Sequence, residues 1–182
     1  MHSYIFPFTL LYNPFTMPIL NPNAMEFISR SASQTRRVGM RLGAQLKRGD
    51  VVCLFGDLGS GKTTFVQGLA AGWGSLDQVS SPTFVLVNVY RGPEQQKLYH
   101  LDAYRLSGPS EAEELDLDVL ISAGPLVVEW ADRIRDALPE ESLNVHLHLI
   151  DDEQRDMVFS AKGERYIGLL TMIRKQIFGV LG

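Results

Sequence analysis

The chain has 182 residues, 45% of them apolar and 21% charged, with a net charge of −4. Such a chain buries a full core without staples, and its acidic balance argues against a broad nucleic-acid-binding face. The single cysteine, Cys53, excludes an intramolecular disulfide and a zinc cluster and suits a reducing, cytoplasmic setting.

Residues 1–24 carry no Lys, Arg, Asp or Glu and hold Pro7, Pro14, Pro18 and Pro22. Without a basic start they do not read as a signal peptide. Proline also interrupts the apolar run well short of the roughly 20 residues a membrane span needs. A poorly ordered extension is the expectation, with Met17 and Met25 as alternative starts, and residues 25–182 form one domain. A short strand is predicted at Glu26, Phe27 and Ile28. A helix capped by Ser33 or its neighbours follows, with Val38, Leu42 and Leu46 on one face, and runs to about Arg48 before Gly49. The apolar run 51–55 is a strand, and a helix over 62–73 is ended by Gly72 and Gly74. Residues 75–83 form a polar loop. Strands over 84–90 and 96–102 flank Gly92-Pro93 as a hairpin. Ser110 to Glu113 reads as a capping box, Leu126–Glu129 as a buried strand, and 144–151 and 155–162 as two more strands. A tail helix starts near Gly163 with Tyr166, Leu170, Ile173 and Ile177 inward.

Between the strand at 51–55 and the helix at 62 lies Gly56-Asp57-Leu58-Gly59-Ser60-Gly61-Lys62-Thr63, which fits GxxxxGK[ST]. Backbone N–H groups at a helix N-terminus attract anions. This octapeptide and Thr64 are therefore the expected nucleotide-binding residues, with Mg²⁺ as the accompanying ion. Lys62 reaches the β- and γ-phosphates and the Thr63 hydroxyl ligates Mg²⁺. The whole predicts an α/β fold, a P-loop NTPase-like three-layer sandwich with a mixed, partly antiparallel sheet.

Hydrolysis also needs a second metal anchor, a γ-phosphate sensor and a group that orients water. Two apolar strands end in an acid, Asp102 and Glu129. Asp102 is assigned to Mg²⁺ through water and Glu129 to positioning water, and the exchange of these roles stays open. Thr83 is the switch candidate. His100 reads as structural, and Trp130 packs over the site, faces a partner or packs in the core. Arg91, Arg105 and Arg133 read as surface charges with phosphate or partner contact as the alternative. No Asn-Lys-x-Asp motif marks guanine, so adenine is preferred.

GDLGSGKTTF, SPTF at 81–84, YHLDAYRL at 99–106, EEL at 113–115 and VEWADR at 128–133 together resemble the TsaE (YjeE) family. That family comprises bacterial P-loop ATPases required for threonylcarbamoyladenosine in tRNA. The resemblance spans about residues 25–182. It implies phosphate and Mg²⁺ binding by Lys62 and Thr63, a metal-linked acid at Asp102 and a catalytic acid at Glu129. It also implies a switch-like Thr83 and a base contact near Thr35. Where many members have proline after the tryptophan, this chain has Ala131. The implied function is ATP hydrolysis acting on a TsaD–TsaB pair in modification of tRNA at position 37, with tRNA touched only indirectly and no membrane involved. A small-molecule kinase and a nucleotide-gated binding module are the alternatives.

Overall fold

The computed structural model describes residues 21–80 and 86–179. The described strands are β1 (Ala24–Ser29), β2 (Val51–Phe55), β3 (Val87–Arg91), β4 (Lys97–Asp102), β5 (Leu126–Glu129), β6 (Ser142–Leu149) and β7 (Arg155–Lys162). They form one sheet in the order β1-β7-β6-β2-β5-β4-β3. β2 runs parallel to both β5 and β6, and β4 runs parallel to β5. Antiparallel partners close the two edges, β7 and β1 on one side and β3 on the other. This is the mixed α/β sheet that the sequence predicts.

Helices α1 (Ala32–Gly43), α2 (Lys62–Gly72), α3 (Pro109–Glu113), α4 (Leu117–Ala123) and α5 (Glu164–Phe178) cover it. The central strand β2 shows how. Side chains alternate across a strand, so Val52 and Leu54 join α1, α2 and α5 in one core. Val51 and Cys53 join Ala112, Leu117 and Ile134 in the core of the other face. A parallel strand covered on both sides reads as a continuous apolar run, which is why 51–55 does. Burial pushes the Cys53 thiol up to about 11, so it behaves as a small apolar filler.

Several boundaries differ from the sequence reading, that of β6 by two residues at each end. Helix α1 is capped by Ser31, whose side chain accepts from Gln34 N–H at 3.2 Å, while Gln34 reaches back to Arg30 N–H at 2.8 Å. It ends at Gly43 rather than near Arg48. Gln45 and Leu46 donate three residues back, and the Asp50 carboxylate takes Lys47 N–H at 2.7 Å, turning the chain into β2. Helix α3 starts ahead of the Ser110 capping box. Pro109 suits the first helical position, and Glu111 accepts from Ser107 N–H at 2.7 Å instead. Strand β3 begins at Val87, and residues 84 and 85 lie outside the described residues. At the other edge, Ala161 N–H donates to Asn23 O at 2.7 Å, ahead of the Met25 start.

The helix that carries the glycine loop is held by backbone contact. On α1, a Cβ on Gly39 would lie 2.4 Å from Phe65 O, and one on Gly43 would lie 2.1 Å from Leu69 O. On α2, a Cβ on Gly68 would lie 2.1 Å from Arg36 O, and one on Gly72 would lie 2.0 Å from Met40 O. Helix α5 is pinned beneath β2. Arg165 forks onto Asp50 at 2.9 and 2.6 Å, and the Tyr166 hydroxyl accepts Val51 N–H at 2.7 Å. Gly68→Ala is expected to lower stability by about 1–3 kcal/mol or more, the usual cost of overpacking. Urea unfolding measures it, with Gly168→Ala, which meets open space, expected to be nearly neutral.

Candidate functional site

The loop between β2 and α2 needs its glycines. Gly56, Gly59 and Gly61 have φ of 134°, 80° and 101°, conformations that L side chains resist. A Cβ at Gly56 would also lie 2.2 Å from Leu147 O, so the loop rests directly on β6. Helix α2 opens with no side-chain cap and no acidic residue in its first turn. Its first backbone bond is Phe65 N–H to Gly61 O at 2.9 Å, which leaves the preceding amides for an anion. They line a cavity of about 460 Å³ at the carboxyl edge of the parallel strands.

Lys62 is buried and arches across the loop, its ammonium donating to Gly56 O at 2.7 Å and Asp57 O at 2.9 Å. Nζ also sits 4.0 Å from the centre of the Trp130 ring, a cation–π contact. Burial pushes this ammonium down from its ordinary range, opposed by the carboxylates of Glu129, Asp102 and Asp57. Next to it, the Thr63 hydroxyl donates to Glu129 at 2.9 Å to Oε1 and 3.3 Å to Oε2. Glu129 is 3% exposed at the end of β5, and His100 Nε2 lies 3.0 Å from its Oε1.

Asp102 ends β4 directly beside Glu129 in register. It is half-buried, accepts Tyr104 N–H at 3.0 Å and lines the same cavity. Tyr104 and Trp130 form the wall, with ring centres 5.1 Å apart. Trp130 holds a left-handed backbone, φ 57° and ψ 41°, a conformation that costs about 1–3 kcal/mol in a residue other than glycine. Ala131 begins the 3₁₀ segment Ala131–Ala137, a helix-start position that accepts alanine as well as proline.

The structure brings Leu58, Gly59, Gly61, Lys62, Thr63, Thr64, Asp102 and Glu129 to one cavity. Gly56, Asp57 and Ser60 complete the loop without lining that cavity, and the Ser60 hydroxyl is buried without a hydrogen-bond partner among the described residues. Thr35 is buried elsewhere, its hydroxyl 2.8 Å from that of Ser29 and 3.4 Å from Ser31 O, and it does not line the cavity. Thr83 lies outside the described residues. The arginine that lines the cavity is Arg155, rather than Arg91, Arg105 or Arg133. Its Nη1 is clamped by the carbonyls of Asp151, Asp152 and Gln154 at 3.1–3.2 Å, beside Gly61. The sequence marks it only as the first residue of a strand. Its place follows from β6 lying next to β2, so that the β6–β7 turn reaches the loop.

The residues suit a nucleoside triphosphate with a divalent cation. Among the described residues no three His, Cys, Asp or Glu side chains converge on a metal site. A cation here would be shared between one or two carboxylates, a hydroxyl and phosphate oxygens, the usual pattern for Mg²⁺.

A model of the family described as threonylcarbamoyl adenosine biosynthesis protein TsaE matches residues 29–157. The chain belongs to the TsaE family. The TsaE protein of Treponema pallidum is 39% identical over 134 residues, covering 73% of this chain and 98% of that protein. The Bacillus subtilis TsaE protein is 40% identical, covering 73% and 83%. The TsaE protein of Streptomyces coelicolor is 42% identical over 137 residues, covering 72% and 93%. The crystal structure of Bacillus subtilis YdiB matches with a TM-score of 0.69 at 32% identity, over 84% of this chain and 95% of that one. Among the described residues, no helix is long and apolar enough to cross a membrane.

Removing the Thr63 hydroxyl takes a donor from a buried carboxylate. Thr63→Val is expected to cost about 1–3 kcal/mol in urea unfolding, and Thr63→Ser to cost little. Equal stability of the valine and serine forms would show that the contact contributes nothing.

Proposed function

We propose that this chain binds and hydrolyses ATP with Mg²⁺ in the cytoplasm. In this reading it serves the threonylcarbamoyladenosine modification of tRNA at position 37 by acting on a TsaD–TsaB pair. The reading is carried by one observation: the glycine loop opens an uncapped helix whose Thr63 hydroxyl rests on the buried Glu129. The names of the relatives, tRNA threonylcarbamoyladenosine biosynthesis protein TsaE, supply the pathway.

The first-turn amides of α2 and the Lys62 ammonium would hold the phosphates. Lys62 would exchange the loop carbonyls for phosphate oxygens. Arg155, beside Gly61, would add a second cation, already oriented by three carbonyls. The contact of Glu129 with Thr63 supports exchanging the two acidic roles. Thr63 and Glu129 would hold Mg²⁺, and Asp102, half-exposed across the cavity, would orient water. When bound, Mg²⁺ would neutralise charge on the phosphate oxygens. Trp130 and Tyr104 would exclude bulk water from Lys62, which strengthens its electrostatic hold. Thr83 remains the proposed switch residue and Thr35 the proposed base contact.

Phosphate release from ATP and capture of a TsaD–TsaB pair, each with and without Mg²⁺, test the reading. Expected are slow turnover alone and association that depends on ATP and Mg²⁺. Association unaffected by ATP would count against the partner mechanism. Hydrogen bonds to charged groups contribute about 1.5–3 kcal/mol, so Lys62→Ala and Arg155→Ala are each expected to weaken ATP binding roughly tenfold or more. Asp102→Asn is expected to lower turnover by about 10²–10⁴-fold with ATP binding retained, as for loss of a group that handles the proton of water.

A further inference from the structure

Behind Glu129, a chain of buried polar groups crosses three neighbouring strands. The Tyr90 hydroxyl on β3 lies 3.1 Å from His100 Nδ1 on β4, and His100 Nε2 lies 3.0 Å from Glu129 Oε1 on β5. Thr63 donates to the same oxygen at 2.9 Å. His100 is fully buried, and Tyr90 and Glu129 are each 3% exposed. Polar groups in such a place destabilise the core unless each is satisfied.

For a neutral imidazole facing an ionised Glu129, a hydrogen count leaves one assignment that satisfies all of them. The carbonyl of Ser80 and the Glu129 carboxylate only accept. The Tyr90 hydroxyl lies 3.3 Å from Ser80 O, but Asn88 Nδ2 donates to that carbonyl at 3.2 Å, so it is served without the tyrosine. The single hydroxyl hydrogen of Tyr90 then goes to Nδ1. The imidazole hydrogen consequently sits on Nε2 and donates to Glu129 Oε1. Oε1 has two donors, and Oε2 keeps only the 3.3 Å contact with Thr63 among the described residues.

We propose that Tyr90 and His100 are positioning residues. They lock the rotation of the Glu129 carboxylate, fixing Oε1 and leaving Oε2 for the divalent cation that accompanies the nucleotide. Neither touches the reacting atoms. Tyr90 sets the tautomer of His100, and His100 sets the carboxylate, as outer partners orient the ligands of metal sites. This proposal rests on the ATP and Mg²⁺ reading above.

The test uses the full chain and three readouts: binding of a fluorescent ADP analogue with and without Mg²⁺, ATP turnover across Mg²⁺ concentrations, and thermal melting. His100→Asn keeps a polar group towards Tyr90 but cannot reach Glu129. It is expected to raise the Mg²⁺ needed for half-maximal turnover by about 10–100-fold, the usual cost of losing an outer partner. The gain in analogue affinity on adding Mg²⁺ should shrink with it, while affinity without Mg²⁺ stays unchanged. His100→Gln, which puts an amide where Nε2 was, is expected to recover most of that loss. Tyr90→Phe is expected to shift Mg²⁺ dependence in the same direction by less. A purely structural role would lower the melting temperature and leave Mg²⁺ dependence unmoved. That result, or a glutamine form no better than the asparagine form, overturns the proposal. Should the asparagine form fail to fold, wild-type Mg²⁺ dependence in Tyr90→Phe overturns it alone. A wild-type chain that binds no analogue in either condition overturns the ATP reading, and this proposal with it.

Discussion

The parallel pairing of β2 with β5 is the constraint on which the site depends. Leu54 stands opposite Glu129, and Glu129 stands opposite Asp102 on β4. Parallel strands all finish at one edge of a sheet, so whatever follows them in sequence is delivered to one place. Here that place receives the glycine loop after β2, the carboxylates that end β4 and β5, and the turn after β6. A register slip of one residue would send Glu129 to the opposite face of the sheet. The apolar cores on both faces hold that register, and through it they hold the site.

The two acids at this edge are treated differently by their surroundings. Glu129 is enclosed, with hydroxyl and imidazole partners already in place. Asp102 remains half-exposed and caps the short turn that carries Tyr104. Equal charge and adjacent position therefore do not make them equivalent. An enclosed carboxylate keeps one orientation, while a half-exposed one can exchange water. Lys62 belongs to the same balance. It loses hydration on burial and regains part of that loss from the carboxylates around it and from the face of Trp130.

Most of the fold was legible because its signals are local. The run 51–55, the octapeptide and the helix after it need only neighbouring residues to be recognised. The strand-end acids were legible for the same reason. Arg155 was not, because its importance depends on strand order, which periodicity does not encode. The link between His100 and Glu129 spans 29 residues and requires β4 and β5 to be neighbours. The different surroundings of the acids depend on which one reaches Thr63, a matter of side-chain direction and not of spacing. The apolar spacing runs past the end of α1 because Leu46 is buried as a helical residue would be, yet enters the core from a turn.

Gly39, Gly43, Gly68 and Gly72 look in sequence like four weak points in two helices. In the structure each allows one helix backbone to lie against the other. Such a contact has no side chains that could change rotamer and let the helices slide. Helices α1 and α2 therefore behave mechanically as one piece, with the loop residues at its tip. Opposite them, the cavity wall hangs on Trp130 in a strained backbone and on a short 3₁₀ segment. The compliance of the cavity is thus one-sided: the phosphate-facing end is stiff, and adjustment to a bound molecule falls to the aromatic wall.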